Sequence, residues 1–415
     1  MGWLCVRQAI IGKWGNVREK APSTSLRLLG VLICKPNNKF ILKRGIIMLL
    51  KLKQFFKQET VLCVAVLLAC ATSFVERPRL EYIDFAVLSI LLSLMLVVAG
   101  LKSVSFLDWV ALKLLQRCAS WRSVVLALVG VTYVSSMFVT NDVALITFVP
   151  LALIIGKRLQ RDVARLIILQ TLAANLGSMV TPPGNPQNLF LYSHYHYTAS
   201  SFFAVMAVPG LLSVLFLGLL IWRGRNERLT LELPEPNKPN MLQTVLLLLL
   251  LALNIAAVLH WLDKTVALLI TVAFVLLKQR RLLLMVDYSL LITFVGFFVF
   301  IGNISHTNLA IYLKQTLLGT AAGTYLAGVV ASQFISNVPA AMLLAGLTPK
   351  ADALLLGVNI GGLGTLIASM ASVISYKLFV AEHPYQAGIY LRTFLYYNFA
   401  GLALLGSLTY LLLLW

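Results

Sequence analysis

Long apolar runs alternate along the chain with short polar, mostly basic intervals. Nine runs read as membrane crossings: 57–75, 83–101, 161–192, 203–222, 241–260, 264–279, 287–303, 351–380 and 391–414. Two of these, 161–192 and 351–380, exceed the roughly 20 residues a helical crossing needs. Both are interrupted near the middle by polar or glycine-rich sequence. Two further apolar stretches, 122–156 and 321–348, carry a polar break at their centres and read as hairpins that enter and return on the same side. Segments such as TVLLLLLLALNIAAVL (244–259) lack the alternation of an outer-membrane barrel strand. A bilayer offers no water to an open backbone, so such runs must be helices. The pattern predicts an all-α polytopic membrane protein with about nine full crossings, two re-entrant hairpins and two broken helices.

The same pattern repeats. IDFAVLSILLSLMLVVAGL (83–101) matches VDYSLLITFVGFFVFIGNI (286–304), pairing Asp84 with Asp287. VSSMFVTNDVALITF matches ASQFISNVPAAMLLA, pairing Thr140-Asn141-Asp142 with Ser336-Asn337-Val338. ANLGSMVTPPGNPQNL (174–189) matches VNIGGLGTLIASMASV (358–373). That match pairs Asn175 with Asn359, Gly177 with Gly361, Thr181 with Thr365, Asn185 with Ser369 and Asn188 with Ser372. From its Asp onward each copy holds three crossings, an odd number, so the second enters from the opposite face and the repeat is inverted. The expected halves are 57–222 and 241–415, joined by a cytoplasmic linker at 223–240. Within them, 57–120 and 241–320 would form a scaffold, and 121–222 and 321–415 a transport domain.

Composition agrees with a membrane protein. The 415 residues are 60% hydrophobic and 12% charged, and mean hydropathy is +0.88. The net charge of +19 invites a nucleic-acid reading, but the basic residues lie between apolar runs. With the N-terminus in the cytoplasm and the hairpins not crossing, every Lys and Arg falls inside except Arg77, Arg79, Lys264, Lys314 and Lys350. The charge is thus a topology signal; it requires no nucleic-acid partner, and the C-terminus lies outside. Residues 1–47 are basic and irregular, and Met48 opens MLLKLKQFFKQE, a basic amphipathic start to the first membrane helix. That extension reads either as a disordered cytoplasmic tail or as sequence upstream of the true start.

Candidate chemistry lies where polar residues interrupt the apolar runs. Pro and Gly in TPPGNPQN (181–188) and the hairpin tips stop helices, freeing amides and carbonyls. Helix N-termini facing such a spot suit an anion, and freed oxygens suit Na+. Candidate binding residues are Thr140, Asn141, Asp142, Ser178, Thr181, Asn185 and Asn188 from the first copy. Ser336, Asn337, Gly361, Thr365 and Ser369 complete the set from the second, with a Na+ position near Asn141, Asp142 and Asn337. Asn141, Asn337 and Asp142 also read as helix caps. Asp142 stands alone between Arg122 and Lys157 as a charge, and its counterpart is Val338. Asp84 and Asp287 open helices and read as caps. The five Cys and five His residues show no metal-ligand spacing, and no cofactor is expected. No GxxxxGK[ST] loop and no Ser/His/Asp set appears, so neither an ATP-driven pump nor an enzyme is expected.

FVTNDVALITFVPL, NLGSMVTPPGNPQNLFLY, SQFISNVPAAMLL and NIGGLGTLIASMASVIS resemble the citrate-transporter-like permeases of the ion transporter superfamily. That group includes divalent-anion/sodium symporters, arsenite permeases and sodium/proton antiporters of the NhaD type. The resemblance covers about 57–415 and leans toward bacterial anion permeases of unassigned substrate. It implies an inverted-repeat fold, an elevator-type homodimer, a bacterial inner membrane location, and Ser-Asn-Thr tips that bind Na+ and a substrate carboxylate. Thr140-Asn141 and Ser336-Asn337 match the first two tip positions; Asp142 and Val338 depart from the third. An Asn-Asp tip is closer to the arsenite permeases. Residues 181–188 resemble the family's Thr-Pro-Pro-Asn element with Gly184 inserted before Asn185. The expected function is secondary active transport of a small anion coupled to Na+ or H+. A cation/proton antiporter using Asp142, an arsenite-type exporter, and a membrane enzyme or assembly factor are the rivals.

Overall fold

The computed structural model describes residues 59–74, 76–229, 235, 237–305 and 307–414. The chain divides at Thr60, and the account below concerns the unit that follows; the expectations for 1–47 and Met48 lie outside the described residues. That unit is helical throughout, and among the described residues the β structure amounts to an isolated bridge between Ser120 and Arg228. In order the helices are α1 (Thr60–Ser73), α2 (Phe85–Ser103), α3 (Phe106–Leu115), α4 (Trp121–Val139), α5 (Asn141–Leu159) and α6 (Ala164–Ser178). Then come α7 (Pro186–His194), α8 (Ala199–Trp222), α9 (Met241–Val258), α10 (Lys264–Lys278), α11 (Tyr288–Ile304) and α12 (Asn308–Thr316). The chain finishes with α13 (Ala321–Ile335), α14 (Asn337–Ala345), α15 (Ala351–Ile360), α16 (Met370–Glu382) and α17 (Ala387–Leu414).

Phe85–Ser103, Trp121–Val139, Ala199–Trp222, Met241–Val258 and the stretch Pro384–Leu413 are long and apolar enough to cross a membrane. Their outward side chains stay apolar: Leu126, Leu211, Leu249 and Ile389 are exposed. In water such a surface would drive association, whereas in lipid it is the solvent-facing side. The chain is therefore an all-α, multi-pass membrane protein.

Polar residues set the helix starts. Asp84 accepts the Val87 amide at 2.9 Å, and Asp287 accepts that of Leu290 at 3.2 Å, so both serve as caps. Ser120 with Ser123, and Thr198 with Ser201, form capping boxes that open α4 and α8. Asp263 caps α10 in an exposed loop, where the amides of Val266 and Thr265 hold its carboxyl below the usual carboxylate range.

The element order from α2 to α8 recurs from α11 to α17, down to a single 3-10 turn in each broken helix, at Pro182–Gly184 and Leu366–Ala368. The hairpins differ in reach: α4 and α5 have 19 residues each, α13 has 15 and α14 has 9. Within each copy the first hairpin arm packs on the broken helix, α4 on α6 and α13 on α15. Contact there is close enough to require glycine. A Cβ on Gly177 would lie 2.3 Å from the Tyr133 carbonyl oxygen, and one on Gly357 would lie 2.5 Å from that of Tyr325.

Candidate functional site

Each hairpin turns on one strained residue. Thr140 has φ 72° and ψ 152°, and Ser336 has φ 73° and ψ 154°. That region is almost reserved for glycine and costs about 1–3 kcal/mol for other residues. Thr140 is β-branched, so the surrounding packing must hold the turn. The turn lets a helix end and another begin with no intervening loop, so α5 and α14 start abruptly inside the protein. Neither Thr140 nor Ser336 caps its helix through its side chain, and neither does Ser369 at the start of α16. Asn185 does cap α7, accepting the Asn188 amide at 2.8 Å.

Four helix N-termini meet around a buried polar network. Asn175 sits at its centre in one copy: its Oδ1 accepts from Ser369 Oγ at 2.8 Å and from Asn141 Nδ2 at 3.3 Å. Its Nδ2 donates to Ser372 Oγ at 3.3 Å. Asn359 sits at the equivalent centre in the other copy: its Oδ1 accepts from Asn185 Nδ2 at 3.2 Å, while its Nδ2 donates to Asn188 Oδ1. Asn175 and Asn359 are partners in the sequence repeat, as are Asn185 with Ser369 and Asn188 with Ser372. Each central Asn thus grips the opposite copy through equivalent positions.

The breaks are closed within each copy. Asn188 Nδ2 donates to the carbonyls of Ser178, Met179 and Thr181 at 3.0–3.3 Å, where α6 stops. Gln333 Nε2 does the same for Gly361 and Leu363 at 2.8 and 2.9 Å, and its Oε1 accepts the Thr365 amide at 2.9 Å. Thr181 Oγ1 donates to the Met137 carbonyl, and Thr365 Oγ1 to the Gln333 carbonyl at 3.0 Å. Both accepting carbonyls lie three residues before their hairpin tip. Gly364 adopts φ +106°, and a Cβ there would meet Gln333 Oε1 at 2.3 Å.

Among the residues expected from sequence, Asn141, Ser178, Asn185, Asn188 and Ser369 thus fall in one network; Ser178 links its two centres, accepting from Asn185 Nδ2 at 3.3 Å and donating to the Asn175 carbonyl at 3.0 Å. Ser336 reaches the neighbouring Ala368 carbonyl at 3.5 Å, so both tips converge on the Ala368–Ser369 turn. Asn337 is 5% exposed, and its Nδ2 would lie 2.9 Å from a Cβ on Gly362. Thr181, Thr365 and Gly361 stand apart, tying breaks to hairpin arms. Asn141 Oδ1 accepts the Asp142 amide at 3.0 Å. Asp142 Oδ1 is buried and bonds to no group among the described residues. A carboxylate oxygen withdrawn from water without a partner is costly, and it suits a cation or a proton. Asn175, Asn359, Ser372 and Gln333 are missing from the expected set. The first three carried a signal, since the repeat pairs them, whereas Gln333 stands opposite Met137 and carried none.

A family model described as citrate transporter matches residues 47–356. The inner membrane protein YbiR of Escherichia coli is 32% identical over 306 residues, 71% of this chain and 80% of its own length. The uncharacterized transporter MJ0456 of Methanocaldococcus jannaschii is 32% identical over 292 residues, 69% of this chain and 78% of its own. The P protein of Mus musculus is 28% identical over 163 residues, 35% of this chain and 19% of its own.

Proposed function

The chain belongs to the citrate transporter family, and on that premise we propose that it is a secondary active transporter of a small anion coupled to Na+ or H+. The observation that carries this is the meeting of four helix N-termini at a buried polar network that joins the two copies. Helix N-termini present amides and partial positive charge, and three of these four lack a side-chain cap. An anion there would receive donors without a buried Arg or Lys, and none occurs in 136–148, 174–189, 332–344 or 358–373. Na+ or H+ would sit at Asp142, whose free oxygen faces no internal donor, with Asn141 and Asn337 alongside.

On this reading the repeat is inverted, the hairpins are re-entrant, and nine crossings leave the N-terminus inside and the C-terminus outside a bacterial inner membrane. Helix lengths support the depth of the site. At 1.5 Å per residue α6 rises about 22 Å before its break and α7 continues for about 13 Å, so a tip bonded beside the break belongs within the slab. The transport half (121–222 and 321–415) would move as an elevator against the scaffold (57–120 and 241–320) of a homodimer. A cation/proton antiporter is the second reading, favoured by Asp142 Oδ1. The test is uptake by purified protein in proteoliposomes, with a panel of radiolabelled anions and radiosodium under imposed Na+ and pH gradients. Gradient-dependent accumulation of an anion supports the proposal. Sodium flux driven by a pH gradient, with no anion accumulated, would replace it with the antiporter.

A further inference from the structure

A polar cavity lies away from the central network, at the open end of the α4–α5 hairpin. It measures about 730 Å³ and is bounded by the start of α4, the turn from α5 to α6, and the chain that leaves α8. Arg122, Arg161, Arg165 and Arg225 line it, against the two acids Asp162 and Glu227. The walls are held by backbone: the Trp121 amide donates to the Glu227 carbonyl at 2.8 Å, and that of Leu229 to Ala119 at 3.0 Å.

Most of the charges already have partners. Arg161 pairs with Glu227 and lies over the Trp121 ring at 5.5 Å. Arg165 donates to the Tyr397 hydroxyl at 3.1 Å and the Leu220 carbonyl at 2.7 Å. Asp162 accepts the Ala164 amide at 2.8 Å. Arg122 is only half engaged. Its Nη2 donates to the Gly224 carbonyl at 2.9 Å, but its Nε is buried and bonds to no group among the described residues. Arg225 stands exposed at the rim. Val125, Leu166, Leu169 and Ile221 supply an apolar floor.

We propose that this cavity binds a phosphate group, with Arg122 and Arg225 as its principal donors. A guanidinium presents planar paired donors that match phosphate oxygens, and a bound oxygen would give Arg122 Nε the partner it lacks. Two sources offer the same chemistry: the headgroup of an anionic phospholipid, with its chain on the apolar floor, or a soluble phosphate. Occupancy would tie the base of the first hairpin to the end of α8. The site is independent of which anion the central network carries.

Thermal unfolding of the full-length protein in neutral detergent tests this. The additives are phosphatidylglycerol in mixed micelles, phosphatidylcholine in the same micelles, inorganic phosphate, and chloride at matched ionic strength. Phosphatidylglycerol or inorganic phosphate should raise the midpoint beyond phosphatidylcholine and chloride, and which of the two acts identifies the source. Arg122→Lys keeps the charge but removes the planar donors, and should weaken the apparent affinity by about tenfold, the value of one charge-assisted bond. Arg225→Gln, at the exposed rim, should weaken it as well and carries the test if the Arg122 variant does not fold. Equal midpoints with all four additives would overturn the proposal. So would an unchanged phosphate response in the folded variants.

Discussion

Thr140 and Ser336 adopt the same glycine-like backbone at the tips of the two copies. Such matched strain persists only where the surrounding structure over-determines it. Thr140→Gly should therefore keep or raise thermal stability, by up to about 1 kcal/mol once the chain entropy of glycine is offset. The check is the midpoint of thermal unfolding in detergent, and a clear fall would show that the Thr140 side chain holds the turn. The central asparagines behave oppositely. Asn175→Ala removes the partner of Asn141 Nδ2, Ser369 Oγ and Ser372 Oγ, and Asn359→Ala leaves Asn188 Oδ1 without its donor. Each should cost about 1–3 kcal/mol, the cost of leaving buried polar groups unsatisfied. If both variants unfold at the wild-type midpoint, the network contributes nothing to stability. None of the strain was legible from residue type, because a β-branched Thr is among the last residues expected at positive φ.

Helices and hairpins were more legible than the bonds between them. Asp84, Asp287 and the proline-rich 181–188 segment punctuate apolar sequence, and helices begin or stop at each. The break at 361–369 reads less clearly, since GGLGTLIAS has no proline and its closure depends on Gln333 from another helix. Nor do residue patterns set the length of the first hairpin's arms, because 122–156 is apolar almost end to end. The close approach of α4 to α6 yields a paired prediction. Gly177→Ala would press a methyl 2.3 Å from the Tyr133 carbonyl and 2.5 Å from Ser136 Oγ, and should destabilise by about 1–3 kcal/mol. Gly130→Ala, on α4 itself, meets nothing within 4 Å and should be neutral or stabilise by up to about 1 kcal/mol through helix propensity. Comparing the two unfolding midpoints checks this; equal effects would mean that the arms do not pack as described.

At the scale of the whole molecule, the charge distribution and the repeat support the same arrangement. Basic residues crowd the linker after α8, whereas Lys264 opens α10 at the other end of α9. A cysteine at position 238 in whole cells should resist a membrane-impermeant thiol reagent, and one at 264 should react; the reverse would invert the topology. The asymmetry between the copies matters more for function. Asp142 lies in the first turn of α5 where the second copy has Val338, so only the first of the two tips carries a charge. Our proposal places coupling at that carboxylate, and Asp142→Asn keeps the shape while removing the charge. The decisive measurement is gradient-driven uptake of the transported anion into proteoliposomes by wild type and by Asp142→Asn. Loss of accumulation in a variant that still folds and inserts is the predicted result. Accumulation near the wild-type level, with the same dependence on pH and Na+, would contradict it and leave the charge of Asp142 without a part in coupling.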